Sequence, residues 1–441
     1  MSEGKGAVGG TQAALADRGL TALAVLLAAS CGGSNSRALS DSRIDGGGAD
    51  ALALIDAPLE RAPDSASMAN DGPSSLSDAP AQGAPSCAQS GALPANAPAL
   101  MPGVWKNISP PGVNFHKGNG TDVFTQGITL VPCNVATLYL SVSSFDVTGG
   151  NPGVYKSTDA GATWTRVGQL DEPIHIRVDP LDPNHLVAAD GVRGNTQGFW
   201  VSRDGGNHWT TPPGFAALSK SLFQIDVYDV AADPADFNHL LLTSHSSWDG
   251  YNGTFNNKWG GDDSGVLETK DGGDTWIIHD PMKGWSHGNG VWFLDNSDTW
   301  LFGSQADGFW RTADAGAHWT QVVTGNNMQH GGGGIYRSKS GAVYAGGTPH
   351  LMRSKDDGVT WTMLGPYAGF NSVIGDGNRL YTAPVFGPAF ITASEADDMT
   401  WAPFAGGPAL DSGPFEMTFD AANGIVYAGV WNAGVWALKV N

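Results

Sequence analysis

Two loops of this 441-residue chain hold the residue types that carbohydrate chemistry uses. The longer is Ser244-His245-Ser246-Ser247-Trp248-Asp249-Gly250-Tyr251, which runs on through Phe255 and Trp259 to Asp262-Asp263. Rings interleaved with Asp, Asn and His make a surface on which sugars stack while polar groups select hydroxyls, so His245, Trp248 and Tyr251 are candidate substrate-binding residues. An insertion of about twenty residues exceeds what joining two short strands requires, and long loops are disproportionately functional. The second loop, Ser143-Ser144-Phe145-Asp146-Val147-Thr148-Gly149-Gly150, leads into Gly153-Val154-Tyr155-Lys156. His287, His330 and Arg193 are further candidates for the same surface. A His or Tyr base drawn from His245, His287, His330 or Tyr228, with Arg193 neutralising a uronate, would suit a polysaccharide lyase. Serine or cysteine nucleophile motifs, metal-ligand spacing and any sign of a cofactor are missing.

The elements that must position these loops are set by an octapeptide, S-x-D-x-G-x-x-W. It occurs intact at Ser157 to Trp164, Ser202 to Trp209, Thr269 to Trp276, Thr312 to Trp319 and Ser354 to Trp361, with Thr replacing Ser in two copies. A decayed copy, Ser394 to Trp401, has Ala396 in place of Asp and Asp398 in place of Gly. Successive Trp residues are 45, 67, 43, 42 and 40 positions apart, a period read first as a propeller or solenoid. Asp159, Asp204, Asp271, Asp314 and Asp356 can each bond the amides of their own turn, and Gly supplies a positive φ. Trp164, Trp209, Trp276, Trp319 and Trp361 then plug the hairpin against a neighbouring sheet.

This octapeptide resembles the Asp-box of sialidases, xyloglucan-cleaving endoglucanases, sortilin-type receptors and photosystem assembly factors. The resemblance implies an all-β propeller of four-stranded blades, with each box between a third and a fourth strand, and the strand count favours seven blades over six or eight. Blades are then expected over about 123–167, 174–210, 224–278, 290–323, 334–364 and 372–404. The last three strands, within 416–440, lack a fourth, and Val104 to Ile108 supplies it and closes the ring. Boxes and first-to-second turns share one face, so the loops with Asp146 and Asp249 lie on the other. Asp-Val-x-Gly-Gly before a Tyr-basic strand is similar to the segment that carries a catalytic Asp in the xyloglucan-cleaving enzymes, which makes Asp146 a candidate carboxylate. Those enzymes use two facing propellers, whereas here a partner must come from the same ring. Asp249 is that partner, with Asp226 and Glu416 behind it. Inverting hydrolysis needs carboxyls about 6.5–9.5 Å apart and retaining hydrolysis about 5–5.5 Å. The Arg-Ile-Pro segment of sialidases is missing.

Position on the ring also sorts the histidines. His208 and His318 fall inside boxes, His185 and His239 follow Asp-Pro turns, and His279 lies on an outer strand, so these are expected to serve surface or packing roles. His175 and His350 lie near the box-free side, with His116 in the N-terminal approach.

The remaining composition bounds location and partners. Residues 1–31 look like a bacterial lipoprotein signal, with an apolar run from Leu20 to Ala29 and Cys31 as the lipidated residue; a plain secretory signal is the alternative. Residues 32–97, rich in Ala, Ser, Asp and Pro and without an aromatic residue, are expected to be a disordered tether, and 98–441 the propeller. Cys87 and Cys133 remain as an even pair able to form one disulfide in an oxidising compartment. A net charge of −20 argues against nucleic acid and anionic membranes. The expectation is a monomeric cell-surface or secreted protein that engages a polysaccharide or other glycan, as a glycoside hydrolase or as a non-catalytic binding propeller.

Overall fold

The computed structural model describes residues 91–115, 123–144, 150–191, 194–222, 226–244, 265–279, 285, 288–304, 307–324, 333–347, 350–365, 369, 372–384, 389–410 and 412–440. The signal segment with Cys31, Cys87 and most of the expected tether lie outside them. No described helix is long and apolar enough to cross a membrane.

Seven antiparallel sheets follow one another along the chain. The first blade is β2 (Val123–Leu130), β3 (Leu138–Ser144), β4 (Gly153–Ser157) and β5 (Thr165–Val167). Blade two holds β6 (Pro173–Val178), β7 (Leu186–Asp190) and β8 (Gly198–Ser202). Blade three comprises β9 (Val227–Ala232), β10 (Leu240–Ser244), β11 (Val266–Thr269) and β12 (Ile277–His279), and blade four β13 (Gly288–Phe293), β14 (Trp300–Ser304), β15 (Gly308–Thr312) and β16 (Thr320–Val323). In blade five, β17 (Tyr336–Arg337), β18 (Val343–Ala345), β19 (Leu351–Ser354) and β20 (Thr362–Leu364) are short. Blade six is β21 (Ile374–Gly375), β22 (Arg379–Thr382), β23 (Ile391–Ser394) and β24 (Asp397–Pro403). The seventh combines β25 (Pro414–Asp420), β26 (Ile425–Val430) and β27 (Gly434–Lys439) with β1 (Trp105–Asn107) from the other end of the domain, Trp105 pairing with Leu438.

Ring closure is visible in the packing. Each neighbouring pair of blades encloses one apolar cluster, including the pair formed by the last blade and the first, where Ile425 and Tyr427 meet Val123 and Leu140. Burying every sheet face against a neighbour leaves no open end to the stack.

The octapeptides supply the repeated joint. In the first copy, Ser157 Oγ accepts the Gly161 amide at 2.8 Å and donates to Asp159 Oδ1, which also takes the Thr163 amide at 2.8 Å. The other four copies repeat these bonds. Bonds from the Thr275 side chain and amide hold Asp271 at about 2. Two consecutive residues take positive φ, such as Ala160 at 59° and Gly161 at 90°. Each Trp reaches the preceding blade: Trp209 packs with Tyr139 and Val154, and Trp276 lies edge-on to Phe199. First-to-second turns bond to the octapeptide turns, as in Gly205 N to Asn184 O and Gly272 N to Asn238 O, so both occupy one face. The loops after β3, β7 and β10 therefore leave from the far face.

Three features depart from the expectation. Blade two has no fourth strand, only a bridge between Val201 and Thr210. A helix, α1 (Pro213–Leu222), follows that bridge and packs Phe215 against Phe199 and Trp276; a proline at its first position suits a helix start. Its ten residues are too few for apolar periodicity to stand out in sequence. The chain also packs on the domain from residue 91 onward, since Leu93 and Leu100 lie against the first interblade core and Asn96 Nδ2 bonds Asp159 at 3.0 Å.

Two Asp-Pro turns show how one extra carboxylate changes a histidine. His185 meets Asp179 alone, and burial lowers its pKa despite that bond. For His239 burial acts in the same direction, but bonds to Glu268 and Asp233, both at 2.9 Å, outweigh it and raise the pKa. Trp105 provides the other local test, being buried, stacked on Phe390 at 3.9 Å and edge-on to Phe404.

Trp105→Ala should cost about 3–5 kcal/mol in denaturant unfolding; a loss below about 1 kcal/mol, within the range of surface changes, would mean that β1 does not close the ring. A raised folded pKa contributes stability that is present below about 6.5, the unfolded value, and is lost as pH rises through the folded value. His239→Gln should therefore lower the melting temperature more in mildly acidic than in alkaline buffer. An equal loss at both would contradict the doubly bonded imidazolium.

Candidate functional site

Asp146, Arg193, His245, Trp248, Asp249, Tyr251, His287 and His330 all lie outside the described residues. The stems that carry their loops are described. Ser144 ends β3, Gly191 and Gly194 flank the position of Arg193, Ser244 ends β10, and Gly288 opens β13. All four stems belong to the far-face ends of blades one to four.

The first two of these stems rest on an acidic frame. Both Glu172 carboxylate oxygens accept the Ser144 amide, at 3.1 and 3.2 Å, and Ser143 Oγ donates to Pro173 O at 2.9 Å. Asp171 accepts the amides of Asn195 and Thr196 and the Thr196 hydroxyl, so its pKa is lowered although its partial burial opposes this. Asp190 is fully buried, and burial pushes its carboxyl well above the usual range, with Asp171 and Glu172 adding to the effect. The Thr196 hydroxyl lies 2.6 Å from Asp171 Oδ1 and 2.8 Å from Asp190 Oδ2. The Thr196 hydroxyl thus bridges Asp171 and Asp190, and the three hold the 194–197 segment against the entry to blade two.

A charged network lies deeper, along the inner strands. Arg177 of β6 reaches Glu416 of β25 at 2.8 Å and Asp229 of β9 at 3.4 Å, and His175 Nδ1 lies 2.7 Å from Asp229 Oδ1. The second oxygens of the two acids accept backbone amides of the next blade. Asp229 takes Val291 at 3.1 Å and Glu416 takes Ile128 at 2.9 Å. In the two donating strands, bulges between Thr125 and Gly127 and between Gly288 and Gly290 lie just before those amides. A Cβ on Gly127 would stand 2.8 Å from the Glu416 carboxylate, so glycine leaves the room. Burial opposes ionisation of Asp229, yet His175 and Arg177 hold its pKa below the usual range. Glu416, expected behind Asp249 as a possible partner, is thus tied into the channel, and Asp226 is buried beside the start of β9.

The histidine sorting holds where it is described. His208 and His318 are exposed partners of Asp204 and Asp314, His185 and His239 brace their turns, and His279 bonds Glu268 at 2.9 Å. His175 is interior. Asp171, Asp190 and Thr196 were missed because the frame joins residues from separate connections, which no spacing announces. Cys133 is disulfide-bonded, and Cys87 lies outside the described residues. No group of three metal-ligating side chains occurs among the described residues.

No protein family matches the sequence, and no curated protein is similar to it. Solved structures share its architecture. A glycoside hydrolase family 74 xyloglucanase from Xanthomonas campestris aligns with a TM-score of 0.51 and 16% identity over 76% of this chain and 54% of that one. YCF48 bound to D1 peptide aligns at 0.52 and 13%, over 79% and 100%. The extracellular domain of a hybrid two-component system from B. thetaiotaomicron aligns at 0.52 and 11%, over 72% and 40%. This chain spans about half the length of the xyloglucanase. At such identities the likeness is one of fold.

Arg177→Met should destabilise by about 3–5 kcal/mol, because it leaves two buried carboxylates without their cation. Asp190→Asn should retain or raise stability at neutral pH. Its folded pKa exceeds the unfolded one, so wild-type stability falls as pH rises above about 3.9. An amide keeps a polar partner for Thr196 and removes that fall; a large loss at neutral pH would contradict the raised pKa.

Proposed function

We propose that this chain is an extracytoplasmic, carbohydrate-active propeller whose far-face loops form a glycoside hydrolase site. The observation that carries this reading is the common origin of the loops. The stems leading to Asp146, Arg193, the 245–264 insertion and His287 all leave the far-face ends of blades one to four, and the first two are held by buried or part-buried carboxylates. Rigid stems under long loops suit a site that must place carboxylates accurately. Asp146 and Asp249 are assigned as the catalytic pair. His245, Trp248, Tyr251, His287, His330 and Arg193 are assigned to substrate binding, by their chemistry and by the resemblance of the octapeptide and the Asp146 segment to Asp-box hydrolases. Fold likeness to a xyloglucanase is compatible with this and names no substrate. The N-terminal signal with Cys31 as its lipid-bearing residue, and the acidic tether after it, would hold a monomer at the cell surface.

One observation favours a second reading, a non-catalytic binding propeller. The carboxylates of Asp171, Glu172, Asp229 and Glu416 are all engaged as acceptors, so catalysis would rest on the loops alone.

The test is a polysaccharide panel read for new reducing ends and for the ultraviolet absorbance of unsaturated uronates. Hydrolysis of one polymer, with kcat reduced by about 10²–10⁴ in Asp146→Asn and Asp249→Asn, is expected. Turnover unchanged in both variants would remove the assigned pair. Unsaturated products would replace hydrolysis with lyase chemistry, and tight binding without turnover would favour the second reading.

A further inference from the structure

The octapeptide face, which the reading above treats as scaffold, also carries a cavity. It opens among the first-to-second turns of blades five, six and seven, with Asp295 of blade four at its edge, and has a volume of about 870 Å³, within the ordinary range of ligand sites. Its lining holds three cations, Arg337, Lys339 and Lys439, and two carboxylates, Asp295 and Asp376. In a chain of net charge −20 a positive lining is unusual.

The partners of these groups define what is missing. Asp376 is engaged by the Tyr381 hydroxyl at 2.8 Å and by the amides of Asn378 and Arg379. Arg337 is held by Asp357 at 2.6 Å. Lys439 bonds only a neutral acceptor, the Asn423 carbonyl. Lys339 has no hydrogen-bond or ion-pair partner among the described residues. It lies across the next blade's turn, where a Cβ on Gly377, at a φ of +88°, would stand 2.6 Å from its Nζ. Glycine there lets the lysine fold over the turn and bring its charge to the cavity. Two ammonium groups, neither bonded to a carboxylate, thus share one concave site, with Asp295 also in its lining.

We propose that this cavity binds a uronate-bearing sugar, its carboxylate taken by Lys339 and Lys439. The Phe419 ring and Ala421 and Ala422 form an apolar wall for a pyranose face, and the Asn378 side chain is exposed for hydroxyls. A peptide is disfavoured because extended chains dock through unpaired backbone groups. The amides of Gly341, Gly377, Asn378, Arg379 and Val440 around the cavity already have internal acceptors. The proposal concerns the face opposite the hydrolase site and stands whether or not that reading holds.

Calorimetric titration of the full chain with tetragalacturonate, with a neutral galactose oligomer and with an acidic peptide bearing a free C-terminus tests it. Tetragalacturonate should bind, more weakly as salt rises, and Lys339→Ala/Lys439→Gln should weaken it at least about tenfold. Asp146→Asn/Asp249→Asn should leave that binding unchanged, which separates the two faces. An unchanged melting temperature in the lysine variant shows that the fold is kept; Lys339→Glu alone, at an exposed position, provides the test if it is not. Equal affinity for the neutral oligomer, no binding of tetragalacturonate, or binding indifferent to both lysine variants would overturn the proposal. Binding of the peptide alone would overturn the sugar as its class.

Discussion

One guanidinium joins the interior of the ring. Arg177 leaves the second blade and meets carboxylates from the third and the seventh, and those carboxylates cap backbone amides of the fourth and the first. Five inner strands thus share a single network of charges. Charges this far from water are tolerated only when each has a partner, so the network works as a unit. The amides of Ile128 and Val291 that it draws on each follow a backbone bulge in an inner strand. Inner-strand geometry and inner-strand charge are therefore one constraint.

The octapeptide solves a separate problem at the periphery. Its Ser or Thr and its Asp satisfy the amides of a tight turn locally, and its Trp passes the effect to the blade before it. Blade six shows what happens when the motif decays. Asp398 stands where glycine would be, and its carboxylate instead bonds the Tyr344 hydroxyl at 2.8 Å and pairs with Arg353 of blade five. Trp401 still packs against that neighbour. An interblade salt bridge replaces the lost turn bonds, so the ring tolerates the change.

The two ends of the channel are built differently. On the far face, carboxylates are bonded, and burial raises the pKa of one of them, Asp190. On the octapeptide face, Lys339 and Lys439, neither bonded to a carboxylate, border an open cavity. An acidic protein that concentrates unpaired cations at one mouth and buried acids at the other has polarity along its axis, and ligands of different charge would sort accordingly.

The sequence by itself determined the repeat, the number of blades and the closing strand at Trp105, because each turn's chemistry is local and its spacing survives in one dimension. It also separated the two faces and identified His185, His208, His239 and His318 as turn residues. Tertiary structure alone decided the rest. The helix that follows the Val201–Thr210 bridge of blade two was illegible, because Phe215 is justified only by Phe199 and Trp276, which come from two different sheets. The raised pKa of Asp190, the tie between Arg177 and Glu416, 239 positions apart, and the lysine-lined cavity likewise depend on groups that meet only once the ring has closed. Local hydrogen bonds leave a pattern in sequence; burial and long-range charge pairing do not, since both are set by neighbours the chain acquires on folding.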